Sequence, residues 1–232
     1  MSKKEKAFHK ASKDALRNKI ANIGKSDFIS YLNKEIKVYK MKDGDNFLRI
    51  LPPAEGGDFS QDIYVHSFVG PNDGSYLCLE KNYDEKCPIC VRYKKAKGDG
   101  DDELAKQLAP KKRVLYLVLD VSEKPQSTDA LVFDSPSQLS DEILRQCMDR
   151  KTKAVNDISD ASEGREVIFT KVGKGIKTKY QGVTLGDVYP LDDDIADQIL
   201  PFEDLLQEPT TKALKEVAKS YDVEEDEEDE EE

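Results

Sequence analysis

Through the middle of the chain, apolar and polar residues alternate over short runs, the period of strands, while both ends carry the wider spacing of helices. Residues 46–51, Asn-Phe-Leu-Arg-Ile-Leu, alternate and are stopped by Pro52-Pro53, so a strand ends there. Residues 64–69 predict a second strand, Gly70-Pro71-Asn72-Asp73-Gly74 a turn, and residues 75–79 the returning strand. The clearest strand is 113–121, whose nearly continuous apolar run points to the middle of a sheet. Residues 130–134 add a short strand, and 166–172 with 177–185 make a hairpin around Gly173-Lys174-Gly175.

Helical spacing governs four stretches. Residues 3–24 carry a broken apolar stripe of Phe8, Ala11, Ala15, Leu16, Ile20 and Ile23, and serve either as a helix on their own core or as an arm that docks on a neighbouring molecule. Residues 88–97 continue as a helix from Pro88, and Gly98-Asp99-Gly100-Asp101-Asp102 predicts a mobile loop. Residues 137–150 turn Leu139, Ile143, Leu144 and Cys147 inward. Residues 210–221 align Leu214, Val217, Ala218 and Tyr221 behind a cap at Thr210 or Thr211. Strands outnumber core helices, which predicts a mainly β, α+β chain with a small curved antiparallel sheet of the five-stranded barrel kind. The organisation is a basic arm (1–25), a core (26–209) holding a lobe at about 62–97, a helix (210–221) and a disordered acidic tail (222–232).

Charge sharpens this division. The net charge is -11, yet residues 222–232 hold ten acidic side chains in eleven, so the first 221 residues carry 36 basic against 37 acidic groups. Residues 1–42 hold twelve Lys/Arg and four Asp/Glu, whereas 190–209 hold seven acidic residues and no basic one. Such segregation suits a chain that meets a polyanion and carries its own imitation of one. Hydrophobic content of 38% is lean for a single compact body, so part of the length is not core. No apolar run is long enough to cross a bilayer and no signal region follows Met1, so the expectation is a cytoplasmic protein, with no membrane partner and reduced thiols.

Candidate chemistry concentrates between His66 and Cys90. His66, Cys78, Cys87 and Cys90 fall within 25 residues, the last two in a Cys-Pro-Ile-Cys turn. Such a turn converges two sulfurs on one tetrahedral ion, and a histidine and a cysteine from an earlier hairpin close the shell, predicting one structural Zn²⁺ with no position left for water. A redox Cys-x-x-Cys would not need the further cysteine and histidine. Cys147 lies far along the chain and reads as a small core residue.

No catalytic constellation is present: there is no phosphate loop or nucleophile elbow, and His9 is the remaining imidazole, so an enzyme is not expected. Basic residues interleave with aromatics instead. Flexible single strands are held by cations along phosphates and by rings on which unpaired bases stack. Candidate phosphate contacts are Arg92, Lys94, Lys95, Lys111, Lys112, Arg113, Lys174, Lys177 and Lys179; candidate stacking rings are Tyr76, Tyr83, Tyr93, Tyr116 and Tyr180. Core packing is the ordinary use of any one of these tyrosines, but the lysines crowded on the 171–180 hairpin repel one another unless an anion is expected.

The succession of basic arm, His66/Cys78/Cys87/Cys90 lobe, Lys/Arg-Tyr strand, Gly-Lys-Gly hairpin with Thr178-x-Tyr180, and acidic C-terminus resembles the single-stranded DNA-binding proteins of T-even-type bacteriophages. The resemblance implies an oligonucleotide-binding (OB) barrel with an inserted zinc lobe and DNA running between them. It also implies an arm that contacts neighbouring copies on DNA, here with Lys10-Ala11-Ser12-Lys13 as a loose form of the family's basic Ser/Thr cluster, and a tail that recruits replication and recombination proteins. The expected role is coating unpaired DNA without sequence preference in phage replication, recombination and repair, in the host cytoplasm, with the tail also competing for the cationic groove. The alternative is a zinc-stapled interaction adaptor or RNA-binding regulator in phage transcription. A zinc nuclease ranks third.

Overall fold

The computed structural model describes residues 30–54, 56–123, 128–149 and 151–222. The predicted arm (1–25) and all but the first residue of the predicted tail lie outside these residues.

The sheet is built around β4 (Lys111–Asp120). Its even positions Val114, Tyr116 and Val118 enter one core cluster and its odd positions Leu115, Leu117 and Leu119 another, so the strand is covered on both faces as its apolar run predicts. Two strands lie end to end along one edge of β4. These are β1 (Gly44–Ile50), with Ile50 opposite Val118, and β2 (Ser60–Val69), with Ser60 opposite Tyr116. The prolines at 52 and 53 separate them. β5 (Leu131–Pro136) takes the other edge of β4, and β3 (Gly74–Leu77) returns along β2. β6 (Arg165–Val172) pairs with β1 and then with β7 (Lys179–Val188). All pairings among the seven strands are antiparallel.

The result is a mixed α+β fold whose sheet is not closed into a barrel. Among the described residues no pairing joins β5 to β7, because α4 (Ser137–Gln146) packs against both edges, with Leu139 and Ile143 in the core. The predicted hairpin turn is tight: Gly173 has φ +85°, and a Cβ there would lie 2.6 Å from the Lys177 carbonyl oxygen, so glycine is required.

A third cluster forms the lobe. It gathers α1 (Leu79–Tyr83), α2 (Pro88–Gly98) and α3 (Asp102–Leu108) over the β2–β3 hairpin. The loop before α3 is tied at its end: the Asp101 backbone N–H donates to the Ala96 carbonyl, and the Asp101 carboxylate caps α3 by accepting from Leu104 N–H. The lobe therefore extends beyond residue 97 to Leu108. Beyond the short α5 (Phe202–Leu205), α6 (Thr211–Lys219) is capped by Thr210 and packs Leu214 and Val217 into the lobe. The amphipathic stripe of 210–221 thus finds its partner on this lobe rather than on the sheet.

Candidate metal centre and nucleic-acid interface

Each of the four soft ligands is placed by a different local device. His66 lies on β2, opposite Tyr76 of β3. Cys78 lies between β3 and α1 as the residue preceding the helix, and Asn82 of α1 ties this turn to β2 by accepting from Tyr64 N–H at 2.8 Å and donating to the Tyr64 and Cys78 carbonyls. Cys87 and Cys90 bracket the first turn of α2, which Pro88 preorganises.

The four ligand atoms lie within 4.8 Å of one another, and every one of the residues is buried. His66 Nε2 is 3.5 Å from Cys87 Sγ and 3.6 Å from Cys90 Sγ. Metal–sulfur and metal–nitrogen bonds of ~2.3 and ~2.05 Å at the tetrahedral angle place S···N edges at about 3.6 Å, so these separations suit one ion at the centre. Cys78 and Cys90 sulfurs are 3.3 Å apart and all the cysteines are free, so no disulfide competes. His66 Nδ1 lies 2.7 Å from the Leu108 carbonyl, which only accepts, so Nδ1 carries the proton and Nε2 offers its lone pair inward. Burial opposes charge on His66, but the Cys78 and Cys87 sulfurs hold its pKa up to about 9. Hydrogen bonds from the neighbouring thiols push Cys87 down, and the same contacts push Cys90 up. Three sulfurs and one imidazole nitrogen gathered this closely in a buried site suit a cation, and the cluster can hold one metal ion. Cys147 stands apart beside α4, its thiol pushed up to about 11 by burial, as a core residue.

The predicted nucleic-acid contacts separate into three groups. Tyr116 and Tyr76 are corrections. Tyr116 is 0% exposed, stacked between Phe59 and Phe133 at 6.3 and 6.0 Å, and Tyr76 is 6% exposed and packed over Gly74, where a Cβ would come within 2.8 Å of its ring. Neither ring has a face to offer a base. A second group is already neutralised. Lys94 pairs with Glu80 at 2.8 Å, Lys112 with Asp62 at 2.6 Å, and Arg113 with Asp134 at 2.7 Å. Arg92 pairs with Asp222 at 3.3 Å and donates to the Tyr221 carbonyl, and Lys174 lies 3.9 Å from an Asp43 that is closer to Lys171. The third group stays available: Lys95, Lys111, Lys177 and Lys179 are exposed with no carboxylate within ion-pair distance among the described residues, Tyr83 is 40% exposed, and Tyr93 and Tyr180 are half-buried.

Tyr180 sits edge-on to Phe169 at the end of an aromatic row that runs Phe59, Tyr116, Phe133, Phe169, Tyr180, and it lines a cavity of about 350 Å³ with Gln138 and Asp141.

Phe68 is 61% exposed with φ +58°, where the adjacent apolar pair Phe68-Val69 breaks the alternation of β2. Among the described residues no helix is long and apolar enough to cross a membrane. No family model matches the chain, and no curated protein matches its sequence.

Proposed function

We propose that the chain is a sequence-nonspecific single-stranded DNA-binding protein of the phage type it resembles, coating unpaired DNA while its acidic tail recruits replication and recombination proteins. The observation that carries this reading is the strand order. Counting β1 and β2 as one interrupted strand, the order β5-β4-β1/β2-β6-β7 with α4 after the third strand supports reading the open sheet as a five-stranded, partly open Greek-key barrel of the OB type. In such barrels the loops after the first and fourth strands bind oligonucleotides. Here the first of these loops is the metal lobe and the second is the Gly173-Lys174-Gly175 hairpin.

In this reading the Cys₃His cluster holds a structural Zn²⁺, because thiolates with one imidazole suit zinc and the closed shell leaves no site for catalysis. The ion fixes one wall of the cleft. Lys111, Lys177 and Lys179 neutralise phosphates, and Tyr83, Tyr93 and Tyr180 offer rings to bases. The arm would contact neighbouring copies along the DNA. Anisotropy of a labelled oligothymidine tests the proposal: it should bind well over tenfold more tightly than duplex of equal length, with affinity falling steeply as salt rises. No binding at low salt would overturn it.

The adaptor reading gains from one observation: Lys94, Lys112 and Arg113 are already paired with carboxylates, which thins the cationic surface. Weak oligothymidine binding together with tail-dependent capture of a protein partner would favour it.

A further inference from the structure

We infer that a groove at the C-terminal end of α4 receives residues 3–24 of a second copy; this rests on the reading above for its purpose, letting copies meet along the DNA. The groove is a cavity of about 580 Å³ walled by Phe59, Leu144, Met148 and Val155, with Asp58 and Asp157 also on its lining. Leu144, Met148 and Val155 are 43%, 48% and 74% exposed, so three large apolar side chains meet water at one place. Scattered singly such residues are ordinary, but gathered around one cavity they mark a surface that a partner covers. A second cavity of about 440 Å³ shares Leu144 and Met148, and Arg145 on its lining is paired with Glu142, so the apolar surface continues along α4.

Paired backbone, not a loose loop, presents these side chains. Leu144 lies in the last turn of α4, whose inner side buries Leu139 and Ile143. Met148 and Val155 form an antiparallel bridge. The Asn156 N–H donates to the Cys147 carbonyl at 2.7 Å, and the Asp149 N–H donates to the Ala154 carbonyl at 2.9 Å.

Chemistry selects the occupant. Asp58 and Asp157 repel a nucleic-acid backbone, and they repel the acidic tail, whose one apolar residue is Val223. Residues 3–24, which lie outside the described residues, offer the complement. They carry Phe8, Ala11, Ala15, Leu16, Ile20 and Ile23 at helical spacing, with seven Lys/Arg against two Asp/Glu. A basic amphipathic segment laid into an apolar, acid-edged groove buries that stripe and pairs its charges. The route of the chain makes the partner a second copy. Tyr31 and Leu32 belong to the core cluster on the Leu115 and Leu117 face of β4, whereas Phe59 and Cys147 pack on the opposite face with Val114 and Tyr116. The arm therefore leaves its own sheet on the side away from the groove. Contact of arm with groove is head-to-tail, so it extends into a row rather than closing a pair, as copies lined along one strand require.

A labelled peptide of residues 3–24, titrated with the full chain, tests this. The peptide should bind the parent, and Val155→Lys should weaken it at least about tenfold, because the new cation faces those of the arm. Val91→Lys, at a 49% exposed valine on the lobe, should leave peptide affinity unchanged. Val155 is largely exposed, so Val155→Lys should melt with the parent; a peptide carrying Leu16→Lys, which needs no fold of its own, should lose binding as well. Equal peptide affinity in Val155→Lys and the parent, or undiminished binding of the Leu16→Lys peptide, would overturn the inference. So would loss of oligothymidine binding in Val155→Lys with no peptide uptake by the parent, which assigns the groove to DNA, and a strictly monomeric parent that takes up no peptide, which leaves the groove without a second copy's arm. Peptide uptake without oligothymidine binding would remove the single-strand reading alone, and the reverse would remove this inference alone.

Discussion

Stripping the metal ion is expected to release α6 together with the lobe while leaving the sheet intact. The third core cluster contains three of the four ligands along with Val69, Leu79, Ile89, Leu108, Leu214 and Val217, and neither of the other clusters contains any ligand. A nine-residue helix such as α6 is not stable alone. Leu214 and Val217 hold it by burying ~1.5–3 kcal/mol of side chain each, roughly 3–6 kcal/mol together. Hydrogen bonds from Gly70 and Gln107 to the Tyr221 hydroxyl, and from Arg92 to the Tyr221 carbonyl, add about 1 kcal/mol apiece. Every one of these partners belongs to the lobe, whose order would depend on an ion held by the cluster; such sites are worth on the order of 10–16 kcal/mol in small zinc domains. The assay is hydrogen exchange read by peptide, before and after chelation. Peptides covering 66–108 and 211–222 should lose protection together, and β4 should keep it; zinc should restore both. Continued protection of 211–222 while 66–108 exchanges freely would refute this coupling, and so would a lobe that stays protected without metal.

Lys111 and Lys112 are adjacent yet differ in electrostatic state, since only Lys112 is paired, with Asp62 at 2.6 Å. Lys111→Ala should flatten the dependence of log affinity on log salt by about 0.7, and Lys112→Ala by distinctly less, in oligothymidine titrations. Deleting residues 223–232, which spares the Arg92–Asp222 pair, should strengthen oligothymidine binding most at low salt by removing a tethered competitor; unchanged affinity would leave the tail only a recruiting role. Arg49 is fully buried and donates to the carbonyls of Ile50, Ile158, Asp160 and Tyr189, so Arg49→Leu should cost roughly 3–5 kcal/mol in chemical denaturation by leaving these acceptors without a donor.

The metal cluster was legible because its ligands lie within 25 residues and the Cys-Pro-Ile-Cys turn fixes two of them locally. The central strand was legible from an apolar run that only a doubly covered strand needs. What the sequence hides is register. Nothing in the order of residues says that Lys112 reaches Asp62 or that Arg113 reaches Asp134, each a diagonal neighbour on the adjoining strand, so a basic cluster looks freer than it is. The same ignorance made Tyr116 look like a stacking ring, although its even position on β4 turns it under α4 between two phenylalanines. An amphipathic stripe such as that of α6 announces that a partner exists without saying which surface it is. The open edge between β5 and β7 has a similar origin, since α4 sits against both strands and no local pattern records that placement.

The most direct measurement is the affinity of the full chain for labelled oligothymidine at low salt, with metal bound and again after its removal. Tight binding that weakens at least tenfold on stripping and returns with zinc is the predicted result. Equal affinity in the two states, or none in either, would contradict a single-strand clamp with a metal-held wall.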